Sequence, residues 1–421
     1  MSATPARRAA LAVLCRVLDR RQPLETALAE AAGIEPREAH FARAIASETL
    51  RRLGQLDDLV RTCVPKPLPR HKSGPALEIL LMGAAEMLFL GVPAHAAVDG
   101  AVRLAADDAK AMHFKPLVNA VLRRLSRAGP AMVAGQDAAR LNTPDWLWER
   151  WCAAYGEETA YAVAMAHLNI APLDIVGENP PPDAEPLFGK VHRIKVPQRV
   201  DALAGFAEGS WWVQDAAASL PALLFGEVTG KRVLDLCAAP GGKSAELAAA
   251  GAHVIAVERD EARMARMKEN FARLRIEAEC VAADARDADI APAPFVLVDA
   301  PCSATGTIRR HPDLPWIKEP GDVPLCAAAA SELLDRAAEL VLPGGLLVFA
   351  VCSLEPEEGP EQAEGFLDRH PEFARAPISP AEVFGHAEWL VPAGDLRTLP
   401  CHLAEQGGMD GFYAARFRHK V

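Results

Sequence analysis

The chain has 421 residues, half of them apolar, which is enough for two or three buried cores and too many for a largely disordered protein. Its nine cysteines are scattered without a single C-x-x-C pair, which argues against a disulfide framework or a structural zinc site and for a reducing compartment. The formal net charge is −11, but residues 1–130 hold 19 Lys/Arg against 13 Asp/Glu and the remainder 26 against 43, so phosphate contact is expected in the N-terminal third.

Residues 4–128 read as helices almost throughout, with Ala/Leu/Arg periodicity over 7–19, 24–31, 38–62, 76–90, 97–106 and 116–127. Breaks are expected at Gly33, at 65–69 and at 91–93. This predicts an all-helical domain over 1–130, without a repeat period. His40, His95 and His113 stand alone there and are expected to be structural. No apolar run reaches the ~18 residues needed to cross a bilayer; residues 79–90 are interrupted by Glu86 and predict a buried helix. With no signal-peptide pattern, a cytoplasmic location and no membrane partner are expected.

Residues 131–210 read as a linking module. A short helix opens at Thr143-Pro144-Asp145-Trp146 and carries Trp146, Trp148 and Trp151 as packing residues; a second helix covers 157–165. Short strands are expected at 173–176 and 191–196, around a proline-rich turn at 179–183. From 211 to 421 strands alternate with helices: strands at 232–237, 253–258, 279–283, 295–299 and 346–352, helices at 243–250, 261–274 and 324–341. That alternation predicts an α/β, Rossmann-like doubly wound sheet, which binds ligands beyond the carboxyl ends of its strands.

The candidate cofactor turn is Cys237-Ala238-Ala239-Pro240-Gly241-Gly242-Lys243, after Leu234-Asp235-Leu236. A phosphate-binding loop would need Gly at 237, where Cys stands, and no G-x-G-x-x-G is present. The remaining reading is S-adenosylmethionine. Glu258, ending the second strand, is placed to accept both ribose hydroxyls, and Asp284, after the third, to reach the adenine edge.

Two further strand ends carry Asp299-Ala300-Pro301-Cys302 and Val351-Cys352-Ser353. Carbon five of cytosine is too weak a nucleophile to take a methyl group directly; a thiolate added at carbon six makes it enamine-like. Such chemistry needs a nucleophilic Cys, a group at the pyrimidine edge and a base for elimination. Cys302 and Cys352 supply thiols, Asp299 can hydrogen-bond the exocyclic amine and ring nitrogen, and Lys243 adds a positive charge that favours a thiolate. Either thiol could be the attacking one on this pattern alone.

Residues 235–243, 299–313 (Asp-Ala-Pro-Cys-Ser-Ala-Thr-Gly-Thr-Ile-Arg-Arg-His-Pro-Asp) and 352–358 (Cys-Ser-Leu-Glu-Pro-Glu-Glu) resemble the NOL/NOP/Sun family of RNA cytosine-C5 methyltransferases. Gln214-Asp215 and Gly408-Met409-Asp410-Gly411-Phe412-Tyr413 match as well, and the helical N-terminus resembles the NusB-like RNA-binding domain of the family's RsmB/Fmu type. The resemblance implies Cys352 as nucleophile and Cys302 in product release. It implies cofactor contacts from residues 237–243, Glu258, Asp284 and Asp299, and places Arg309, Arg310 and His311 near the active site as RNA-binding candidates. The implied substrate is small-subunit (16S) ribosomal RNA, for a monomer without a metal. The rivals are a transfer RNA methyltransferase of the same family and a non-catalytic RNA-binding or ribosome-assembly factor. Departures from the family pattern are Val351 for the usual Thr, Glu258 for a frequent Asp, and a shortened 173–200 segment without the usual Arg and Asn in its first strand.

Overall fold

A computed structural model describes all residues except 1–3, 32, 65, 67 and 196–198. Pro65 and Pro67 of the expected break, and Val196 of an expected strand, lie outside the described residues. The chain divides into two compact units, residues 1–169 with 308–318, and 170–307 with 319–421. By contacts the division falls at 169/170, so the helices of residues 131–169 pack with the first unit and the strands from Leu173 on with the second.

In the first unit the long helices are Pro5–Arg20, Pro36–Arg51, Leu53–Cys63, Ala76–Leu88, Ala94–Asp107 and Lys115–Ala134. Proline at the first helical position begins two of them, where its missing N–H costs nothing. Ala6, Ala10, Val13, Leu14 and Val17 repeat at three and four residues, so one stripe of the first helix enters the core. Glu86, which interrupts the apolar run, is 1% exposed and held by Arg7, with Nη2–Oε2 at 2.5 Å. Gly100 makes room for that arginine, since an added Cβ would lie 2.6 Å from its Nε. Trp151 is buried as expected and meets the His167 ring edge-on. Among the described residues no helix is long and apolar enough to cross a membrane.

The second unit carries two sheets. The smaller comprises β1 (Leu173–Gly177), β2 (Glu185–Phe188), β3 (Val191–Ile194) and β4 (Trp211–Val213), ordered β2-β3-β1-β4. Its anchor is Arg193, 1% exposed, whose fork binds Asp174 at 2.6 and 2.8 Å while Nη1 donates to the Gln406 carbonyl. The larger sheet has β5 (Arg232–Leu236), β6 (His253–Glu258), β7 (Glu279–Ala282), β8 (Ala293–Asp299) and β9 (Val341–Val351) in parallel, ordered β9-β8-β5-β6-β7. Strands β10 (Phe373–Arg375), β11 (Leu396–Thr398) and β12 (Phe412–His419) add an antiparallel edge, with Tyr413 opposite Val351. The five parallel strands and the helices Gly242–Ala249, Glu261–Leu274 and Asp322–Leu340 agree with the sequence within a few residues. Strand order reverses at β5, flanked by β6 and β8, so the expected ligand crevice lies over its carboxyl end.

Candidate active site

Beyond β5 the chain turns sharply, with Cys237 at φ +65° and Gly241 at φ +99°. A Cβ on Gly241 would lie 2.8 Å from Met267 and Phe271, and one on Gly242 2.9 Å from the Gln214 amide oxygen. Only glycine lets the turn sit this tightly before the helix that starts at Gly242. Gln214 is itself held by Trp212 Nε1 at 2.6 Å and donates to Glu246 at 2.7 Å. Asp215 caps its helix through Ala217 N at 2.8 Å and accepts Asp410 N at 3.0 Å, so two distant matching segments meet beside this turn. Beneath it Asp235 is fully buried and accepts Ser244 Oγ at 2.6 Å; burial pushes its carboxyl up to about 7.

A cleft of about 220 Å³ opens over the strand ends and is lined by Cys237, Glu258, Asp284, Asp299, Cys302 and Cys352, among others. It thus gathers the expected strand-end residues. Glu258 is 3% exposed; Oε1 accepts Asp260 N at 2.9 Å, while Oε2 is buried without a hydrogen-bond partner, 3.3 Å from Arg263. A buried carboxylate oxygen without a donor is the acceptor that a ribose diol needs, so the cleft fits S-adenosylmethionine. Asp284 is engaged by the Arg286 fork, and those hydrogen bonds hold its carboxyl well below the usual range. Burial pushes the Cys237 thiol up to about 12, so it stays protonated at neutral pH and meets a ligand as a neutral wall.

At the other side of the cleft, Cys302 Sγ and Cys352 Sγ are 3.4 Å apart. Lys243 Nζ donates to Asp299 Oδ2 at 2.8 Å and stands 4.8 Å from the Phe412 ring centre, a cation–π distance. Burial alone would lower the Lys243 pKa; Asp299, by charge and hydrogen bond, outweighs it and holds the ammonium above its usual value. The hydrogen bond to Cys352, followed by burial, holds the Cys302 thiol well above its usual value.

Sequence reasoning missed the network that sets the two thiols. Glu358, 1% exposed, accepts Ser303 N at 2.8 Å and Ser303 Oγ at 2.6 Å. Ser303 Oγ lies 3.2 Å from Ser353 Oγ, so the residues following the two cysteines are tied directly. Thr305 adds contacts to Ser353, Glu355 and Leu354 N, and Arg397 donates to the Ser353 carbonyl at 2.6 Å. A Cβ on Gly306 would lie 2.0 Å from the Gly411 carbonyl and 2.9 Å from that of Cys352. The available signal was position alone: all but Arg397 fall inside the two cysteine motifs or the closing segment.

Of the RNA-binding candidates at 309–311, the burial of Arg309 speaks against that one residue. Residues 308–318 pack in the helical unit, where Trp316 Nε1 donates to the Leu50 carbonyl, Asp313 accepts Leu24 N, and Arg51 donates to the Arg309 carbonyl. Arg309 is 1% exposed, so its side chain serves packing and offers nothing to an RNA backbone. Arg310 is exposed and His311 half-buried.

Comparison with known proteins agrees with this geometry. Residues 222–418 match the 16S rRNA methyltransferase RsmB/F family model, and residues 4–127 the NusB family. Ribosomal RNA small subunit methyltransferase B of Pseudomonas putida is 35% identical over 97% of both chains. Its Vibrio cholerae counterpart is 33% identical over 97% of this chain and 96% of its own. Among solved structures, PH0851 superposes with a TM-score of 0.76 at 23% identity over 99% of each chain. NSun6 from Pyrococcus horikoshii with SFG gives 0.57 at 17%, over 66% of this chain and 98% of its own; both share the fold. With full-length relatives above 30% identity and both domain models matched in order, the chain belongs to the RsmB/F family of 16S rRNA methyltransferases.

Proposed function

We propose that this chain methylates carbon five of a cytosine in small-subunit ribosomal RNA, with Cys352 as the attacking thiol and Cys302 assisting release. The observation that carries the reading is the 3.4 Å approach of two thiols in one cleft, beside a buried Lys243–Asp299 pair. When bound, S-adenosylmethionine supplies an electrophilic methyl group; Glu258 and the 237–243 turn are the residues that would hold it.

Cys352 Sγ bonds to carbon six, and the displaced π pair makes carbon five nucleophilic. Asp299 faces the pyrimidine edge, oriented by Lys243, which donates to its Oδ2. After carbon five has taken the methyl group, loss of its proton restores the ring double bond and expels the thiolate. Cys302, whose Sγ lies 3.4 Å from Cys352 Sγ, gives its thiol proton to the departing sulfur and takes the carbon-five proton in its place, so that both thiols end neutral. The target base must be unpaired or flipped out to enter a cleft of this size.

Cys352→Ala is expected to abolish methyl transfer, and Cys302→Ala to accumulate a covalent enzyme–RNA adduct on a denaturing gel. Adducts in the Cys352 variant instead would reverse the two roles. Bisulfite sequencing of 16S RNA from a deletion strain would reveal the target as a single lost methylcytosine; an unchanged pattern would refute the substrate.

A further inference from the structure

We infer that the outward face of helix Lys115–Ala134 is a docking surface for the phosphate backbone of the substrate RNA; this rests on the reading of the chain as a ribosomal RNA methyltransferase. The chain has 56 acidic residues, yet none falls between residues 109 and 136. The same stretch carries Lys110, Lys115, Arg123, Arg124 and Arg127, all exposed. Val118, Val121, Leu122, Leu125 and Gly129 occupy the buried side of the helix. At 3.6 residues per turn Arg123, Arg124 and Arg127 lie on the opposite half, and from Lys115, the first helical residue, to Arg127 the cations span roughly 18 Å of axis.

Partnering separates this face from an ordinary solvated one. Elsewhere in the helical unit many cations are matched: Arg7 with Glu86, Arg16 with Glu30, Arg43 with Glu25, Arg61 with Asp57, Arg70 with Asp19, Arg103 with Asp99. Among the described residues none of the five cations on this stretch has a carboxylate partner; Arg123 donates only to Asn119, at 3.1 Å. Among the described residues Arg20, Arg37, Lys66 and Lys72 also lack one, but they do not share a helix. Five like charges on one stretch repel one another and gain from a polyanion, and stacked helical cations track a phosphate backbone without reading sequence.

The test is binding of a 16S RNA transcript by the full-length protein between 50 and 200 mM salt. The combined variant Lys115→Gln, Arg124→Gln, Arg127→Gln removes three contacts. It is expected to lower the slope of log affinity against log salt by about 2, at roughly 0.7 per phosphate contact, and affinity near 100 mM salt at least tenfold. A control with three matched cations neutralised (Arg16→Gln, Arg43→Gln, Arg103→Gln) alters net charge equally and is expected to keep the wild-type slope. Should the triple mutant be poorly folded, Arg124→Gln and Arg127→Gln singly are each expected to lower the slope by about 0.7. If the wild type methylates the transcript but the two triple variants behave alike, this surface is refuted and an acidic protein partner becomes its better occupant. If the wild type neither binds nor methylates it, the functional reading fails as well.

Discussion

Replacing Glu358 tests whether the two thiols are held by the carboxylate behind them. The side chain accepts two hydrogen bonds from Ser303, at 2.8 and 2.6 Å, at a position 1% exposed. Bonds to a charged acceptor are worth about 1.5–3 kcal/mol each, and truncation leaves a buried amide and hydroxyl without partners. Against that, burial raises the Glu358 pKa, so the native state already bears a desolvation cost that the mutation removes. The balance for Glu358→Ala is a local loss of about 2–4 kcal/mol. At 1.4 kcal/mol per factor of ten, amide exchange in the 300–306 and 352–358 loops is expected to rise roughly 30- to 700-fold. Turnover is expected to fall at least tenfold, because Ser303 and Ser353 directly follow the reacting cysteines. Glu358→Gln keeps an oxygen for Ser303 N and a side chain of the same size, so about half the exchange effect is expected. Hydrogen-exchange mass spectrometry with a methyl-transfer assay decides it: if Glu358→Ala leaves both loops protected and turnover intact, the carboxylate does not position the thiols and the account of the network is wrong.

Two other perturbations follow from buried charges. Burial lifts the Asp235 carboxyl from 3.8 to about 7, so its contribution to stability is fully present below pH 4 and is lost as pH rises through 7. Asp235→Asn, which keeps an oxygen for Ser244, is expected to gain up to about 4 kcal/mol on the wild type between pH 4 and 8 in urea titrations; parallel curves would refute the buried ionisation. Arg193→Met strands Asp174 in the small sheet at a cost of about 3–5 kcal/mol. A melting point about 10 °C lower is expected by calorimetry, and adding Asp174→Asn should restore part of it; no recovery in the double mutant would argue against an uncompensated charge as the cause.

The parts legible without coordinates were those written locally. The five parallel strands show as apolar runs, and the ligand turn as glycines after a strand. Glu258, Asp284, Asp299, Cys302 and Cys352 were placed by lying at or just past strand ends. The C-terminal strands β10 to β12 went unread because two are three residues long and β12 is buried almost throughout, which blurs alternation. The Glu358–Ser303–Ser353 contacts were hidden because they join residues about 50 apart whose pairing depends on two loops meeting.

Sequence alone determined the family motifs, the order of helical and α/β regions, and the kind of chemistry two strand-end thiols permit, since side-chain identity and short-range periodicity carry all three. Only the tertiary structure decided that the sulfurs lie 3.4 Å apart, that Arg309 is buried with residues 308–318 in the helical unit, and that Arg123, Arg124 and Arg127 share a helix face without a carboxylate partner. Those outcomes depend on sheet register, on where a strap of chain finds its apolar partners, and on which carboxylates end up within reach of which cations. None of these is a property of neighbouring residues.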